Sequence, residues 1–81
     1  MKASVEISMY PLDQDYERPI LDFIARLRQY DGITVNTNTM STQLFGDYDL
    51  LFSALTKEMK ESFRKEPAVV MVMKVINAEL G

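Results

Sequence analysis

The chain of 81 residues predicts an α+β fold, a single domain over residues 1–81 with the order strand, helix, strand, strand, helix, strand. Three observations carry that prediction. Apolar and polar residues alternate near the start and in the middle of the chain, the period of a strand with one buried face. In two longer stretches, 16–30 and 48–64, apolar residues recur every three or four positions, the period of an amphipathic helix. Pro11, Gly32, Gly46 and Pro67 stand where one pattern gives way to the next, and Gly and Pro are the strongest punctuators of local structure.

The first strand spans Ala3 to Tyr10, with Ala3, Val5, Ile7 and Met9 on one face and Ser4, Glu6, Ser8 and Tyr10 on the other. Pro11 lacks a backbone donor and restricts the residue before it, so Tyr10-Pro11-Leu12 is expected to leave the strand for a loop in which Asp15 caps the next helix. That helix starts near Glu17 or Arg18, because Pro19 is tolerated in a first turn and disruptive further in. Its apolar stripe is Ile20, Phe23, Ile24, Leu27 and Tyr30, while Asp22, Arg26, Arg28 and Gln29 are expected to face solvent. Asp31-Gly32 should end it, with Gly32 as a left-handed cap.

Ile33 to Asn38 alternates again as a polar edge strand. Thr39 to Phe45 follows as a third strand, the two pairing as a hairpin across a connection near Asn36 to Met40. Ser41, Gln43 and Phe45 share one of its faces, and Met40, Thr42 and Leu44 the other. Gly46 is expected to turn the chain, and Asp47 or Asp49 to accept the free N–H groups that open the second helix. This helix runs from about Tyr48 to Arg64 with Leu51, Phe52, Leu55, Met59 and Phe63 as its stripe. After Pro67, Ala68 to Ile76 forms a last strand that is largely apolar on both faces.

The order is the split βαβ, or ferredoxin-like, pattern: a four-stranded antiparallel sheet with the first and third strands central, right-handed crossovers, and two helices on one face. Its centre brings Ser4, Glu6, Ser8 and Tyr10 beside Ser41, Gln43 and Phe45. The helices account for one face of the last strand. The other has no covering element, so a second subunit or a ligand is expected over it. Lys74 on that face has Glu6 as a cross-strand partner.

At 47% hydrophobic and 26% charged, the composition is that of a folded globular domain. A domain of this size buries only roughly 60% of the surface of its unfolded chain, which favours a homodimer or higher homo-oligomer. The net charge of -3 and nine scattered Lys and Arg residues argue against a nucleic-acid surface. Without Cys or His, thiolate chemistry and the commonest general base and metal ligand are missing. Catalytic residues, a metal and other cofactors are therefore not expected. The start lacks a signal peptide's apolar core, and no apolar run approaches the roughly 18 residues of a membrane span. A cytoplasmic protein, not inserted in a membrane, is expected.

Val5-Glu6-Ile7-Ser8-Met9-Tyr10-Pro11-Leu12, and above all Asn38-Thr39-Met40-Ser41-Thr42-Gln43-Leu44-Phe45-Gly46-Asp47-Tyr48-Asp49, resemble the YkoF family of thiamine and hydroxymethylpyrimidine binding proteins. The ending around Val72-Met73-Lys74-Val75-Ile76 is similar too. The resemblance implies non-catalytic binding of the pyrimidine part of thiamine, linked to uptake or salvage of the vitamin precursor. Its best-known form carries two such domains in tandem where this chain has one, which implies a homodimer in place of the pair.

The residues suit such a ligand. An aminopyrimidine is a flat apolar ring with amine donors and ring-nitrogen acceptors, so its site needs a few placed polar groups in a mostly apolar cleft. Glu6, Ser8, Ser41, Thr42 and Gln43 are the candidate hydrogen-bonding groups; Tyr10, Phe45 and Tyr48 are the candidate stacking rings. Plainer roles compete: Glu6 could serve Lys74 alone, Tyr10 could be a packing residue, and Asp47 and Asp49, available to a cationic thiazolium, could be helix caps. The alternative function is a regulatory module whose sheet face mediates self-association. RNA binding ranks below both, because the central strands lack interleaved aromatic and basic residues.

Overall fold

The structure, a computed structural model, describes residues 1–81. Its elements are β1 (Lys2–Pro11), α1 (Glu17–Leu27), β2 (Thr34–Thr37), β3 (Thr42–Asp47), α2 (Tyr48–Lys65) and β4 (Val69–Ile76). They form one antiparallel sheet in the order β2-β3-β1-β4 with both helices on one face, the ferredoxin-like arrangement. Across the middle of the sheet, Ser4 lies opposite Phe45 and Ile76, and Glu6 opposite Gln43 and Lys74.

The core lies between the helices and one face of the sheet. Ala3, Val5, Ile7, Val35 and Leu44 meet Phe23 and Leu27 of α1 and Leu51, Ala54 and Leu55 of α2. Each of the larger side chains contributes about 1.5–3 kcal/mol by leaving water, so the stability of the domain resides on this side.

Several local expectations are corrected. β1 continues through Pro11, which pairs with Val69, and Leu12 N–H donates to the Ala68 carbonyl at 3.0 Å. The missing N–H is tolerated because the β3 ladder has already stopped at Ile7. Asp15 does not cap α1, whose N-cap is Tyr16; it pairs with Arg18 at 2.9 Å, and Arg18 also reaches Asp22 at 3.2 Å and Glu66 at 2.7 Å. α1 stops at Leu27, so Tyr30 lies beyond it, and Gly32, at φ 88°, serves the turn into β2 rather than the helix end. Thr39 and Met40 belong to the hairpin loop, where the Asn38 side chain accepts from the N–H groups of Met40 (2.8 Å) and Ser41 (3.0 Å). Gly46 stays within β3, and its smallness matters: a Cβ there would stand 2.7 Å from the Gly32 carbonyl oxygen. Asp47 takes the N-cap position of α2 as expected, and the backbone N–H groups of Asp49 and Leu50 face its carboxylate without reaching close hydrogen-bond geometry. Its carboxyl is held below the usual carboxylate range, chiefly by a hydrogen bond from the N-terminal ammonium at 3.4 Å.

Arg26, expected to face solvent, turns between the helices. Its Nε donates to Glu58 Oε1 at 2.8 Å, and its Nη2 to Ser62 Oγ at 2.6 Å and the Glu58 carbonyl at 3.0 Å. Tyr30 donates its hydroxyl to Glu58 Oε2 at 2.6 Å, which raises the phenol's pKa. Glu58 and Ser62 are buried on the α2 stripe, whereas Phe63, assigned to that stripe, is 48% exposed. α1 and α2 sit over β1 and β3, so the helix side of β4 is only half covered, leaving an apolar groove between α2 and β4 at Phe52, Met59, Phe63 and Met73. No helix is long and apolar enough to cross a membrane.

Candidate functional site

The helix-free face of the sheet carries the polar rows. Strand alternation places Ser4, Glu6, Ser8 and Tyr10 of β1 there, with Gln43 and Phe45 of β3 on one side and Val72, Lys74 and Ile76 of β4 on the other. Glu6 stands at the centre: its Oε2 accepts from Ser41 Oγ at 3.1 Å, and Lys74 Nζ lies 3.8 Å from its Oε1. Both partners are substantially exposed, so the pair contributes at most about 1 kcal/mol and is free to exchange partners with a ligand.

The Glu6–Lys74 pair is shared by two recesses. One, of about 500 Å³, includes Ser4, Glu6, Gln43, Phe45, Ile76 and Leu80 in its lining. The other, of about 470 Å³, includes Ser8, Tyr10, Asn38 and Ser41 together with Glu6 and Lys74. Both fall in the range of small-molecule sites, roughly 300–1,000 Å³.

One wall of the first recess comes from the chain beyond β4. Ser4 Oγ donates to the Ala78 carbonyl at 2.6 Å and accepts from the Leu80 N–H at 2.9 Å. Gly81 lies against the Phe45 ring so closely that a Cβ would stand 2.6 Å from Phe45 Cγ. Phe45, on a face without helices, is consequently only 7% exposed. In the second recess the Asn38 turn sets the loop, and Ser8 Oγ donates to the Met40 carbonyl at 3.4 Å.

Of the candidate residues, Glu6, Gln43 and Phe45 meet in the first recess, and Glu6, Ser8, Tyr10 and Ser41 in the second. Thr42 and Tyr48 lie elsewhere. Thr42 is buried on the helix side of the sheet between Ile7 and Thr37, as its alternation with Ser41 and Gln43 requires. Tyr48 opens α2 with its ring centroid 4.8 Å from that of Phe52. Ser4, Ile76 and Leu80 were not among the candidates. Ser4 shares the parity of Glu6, and Ile76 that of Lys74, so the alternation could have found both; no pattern signals Leu80.

The first recess can hold a flat heterocycle. Gln43 offers a donor and an acceptor from one carboxamide, Glu6 an acceptor and Lys74 a donor, while Phe45, Ile76 and Leu80 supply apolar surface. Fold and site together define a ferredoxin-like domain with two recesses along the polar centre of its sheet. The chain belongs to the YkoF-related family, whose sequence profile matches residues 2–78.

Solved structures agree with that placement. A Streptococcus pneumoniae protein is 26% identical, with a TM-score of 0.89 over 99% of this chain and 90% of its own. One from Methanocaldococcus jannaschii is also 26% identical, with a TM-score of 0.82 over 99% of this chain and 84% of its own. A third, from Thermotoga maritima and provisionally assigned to thiamine biosynthesis or salvage, shares the fold at 14% identity, with a TM-score of 0.85 over 96% of this chain and 85% of its own. No curated protein sequence matches the chain significantly.

Proposed function

We propose that this chain is a non-catalytic binder of thiamine or its hydroxymethylpyrimidine moiety, serving uptake or salvage of the vitamin precursor in the cytoplasm. The observation that carries the reading is the recess in which the Gln43 carboxamide and the Glu6 carboxylate stand beside the Phe45 ring. The aminopyrimidine's amine donates to Glu6 or the Gln43 carbonyl, its ring nitrogen accepts from the Gln43 amide, and its flat face lies on apolar surface. Ser41 supports the arrangement through its hydrogen bond to Glu6. Membership of the YkoF-related family favours the same ligand class. Titration calorimetry with thiamine and with free hydroxymethylpyrimidine tests the reading: saturable heat at one site per chain is expected, and no heat and no thermal shift at millimolar ligand would overturn it.

A second reading concerns assembly. Val70, Val72, Met73, Val75 and Ile76 are all at least 37% exposed on a strand at the sheet edge, next to the groove at Phe63. An apolar edge strand of this length invites pairing with another chain, so a homodimer that covers β4 is the favoured assembly. Light scattering at high micromolar concentration tests it, and a monomer there would remove the idea.

A further inference from the structure

Residues 77–81, which follow β4, turn back across the helix-free face, although β4 has no further neighbour for them to pair with. The hydrogen bonds that hold them run through one side chain. Ser4 uses its hydroxyl twice, donating to the Ala78 carbonyl at 2.6 Å and accepting from the Leu80 N–H at 2.9 Å. Ser4 itself is fixed on both sides, because β1 pairs there with Phe45 of β3 and Ile76 of β4. A hydroxyl on the central strand is thus tied to a segment that belongs to no ladder. The same residues shape the recess: Leu80 lines it, and Gly81 lies on Phe45, the ring at its base.

We propose that residues 77–81 are a strap, latched to β1 by Ser4, that forms the movable wall of the recess, with Ser4 as its positioning residue and Leu80 as the side chain that closes over a bound planar ring. Two hydrogen bonds through one hydroxyl are enough to hold the strap down most of the time and too few to lock it, since each replaces a bond to water and contributes little net. Leu80 lines the recess and is 69% exposed, so it has apolar surface left to bury against an occupant. The wall therefore governs how long a ligand stays more than how fast it arrives. That the occupant is an aminopyrimidine rests on the function proposed above; the latch itself does not.

The test separates the two. In the ligand-free protein, the Leu80 amide is expected to exchange its hydrogen slowly. Ser4→Ala should speed that exchange about tenfold or more, the effect of losing two ordinary hydrogen bonds, with the global unfolding midpoint unchanged. Ser4→Thr, which keeps the hydroxyl, should restore protection. With thiamine as the probe, Ser4→Ala should raise the dissociation rate about five- to tenfold with little change in association. Leu80→Ala should keep the amide at position 80 protected while weakening hydroxymethylpyrimidine binding about three- to tenfold through lost apolar contact. A Leu80 amide that exchanges at the free-peptide rate in the unaltered protein overturns the latch. A Ser4→Ala dissociation rate equal to that of the unaltered protein overturns the wall. If neither probe binds the unaltered protein, the failure falls on the ligand reading, and exchange at Leu80 alone decides the strap.

Discussion

Replacing Glu58 by Gln tests how the two helices are held together. The carboxylate side chain is 8% exposed and faces Arg26, whose side chain is 22% exposed, at 2.8 Å. It also accepts the Tyr30 hydroxyl at 2.6 Å. Hydrogen bonds to a charged group contribute about 1.5–3 kcal/mol each, so removing both outright would cost about 3–6 kcal/mol. The amide keeps the shape and can still accept from one donor, and Arg26 keeps Ser62 Oγ and the Glu58 carbonyl. What is lost is the counter-charge of a largely buried guanidinium. We therefore expect a loss of about 2–3 kcal/mol. A domain of 81 residues has roughly 4–12 kcal/mol in total, and the melting point should fall by roughly 10–20 °C. Urea denaturation at neutral pH measures the loss directly, with the slope unchanged if only the folded state is affected. A loss below about 0.5 kcal/mol would equate the pair with an exposed ion pair and refute the clamp. A cycle with Tyr30→Phe adds a check, since the two substitutions share one carboxylate and should not be additive.

The same phenol predicts a pH dependence. Tyr30 is raised above its usual value, first by its hydrogen bond to Glu58 and then by burial, so its contribution is complete below about pH 10 and is lost as the pH rises through its folded value; urea midpoints should fall there, and Tyr30→Phe should flatten the fall. Gln43→Ala is expected to weaken thiamine or hydroxymethylpyrimidine binding by about 1–3 kcal/mol with the melting point nearly unchanged; equal losses of binding and stability would mark Gln43 as scaffold. Gly46→Ala should destabilise by about 1–3 kcal/mol, because its Cβ would stand 2.7 Å from a backbone carbonyl; an unchanged melting point would mean that the turn at Gly32 yields without cost.

The parts of the fold that were legible in the sequence are those where one physical rule dominates. Ala3-Ser4-Val5-Glu6-Ile7-Ser8 alternates because one face meets helices and the other does not, and the Glu6–Lys74 partnership followed from parity and strand order alone. The errors fall where two rules compete. Pro11 argued for a break, yet it sits where β1 has lost its β3 neighbour, so no ladder bond is missed. Phe63 is apolar at helical spacing, but α2 is rotated so that Ser62 and Glu58 take the buried line with Leu51 and Leu55; the 51, 55, 58, 62 spacing was visible, and only the polarity of its last two members hid it. In the site, the residues on the two central strands were accessible to parity. The fold-back of residues 77–81 was not, because a segment whose hydrogen bonds all run through one hydroxyl leaves no periodic trace.

The lopsided distribution of packing has a consequence for how such a domain changes over time. The hydrophobic core lies beneath the sheet, where the helices are, while the groups of the binding site proposed above project from the other face, on strands joined by backbone hydrogen bonds that these side chains do not make. Exchanging Gln43, Lys74 or Ile76 for other residues should alter what is recognised far more than whether the chain folds. The scaffold can thus be retargeted to a new small molecule by a few substitutions, each tolerated singly.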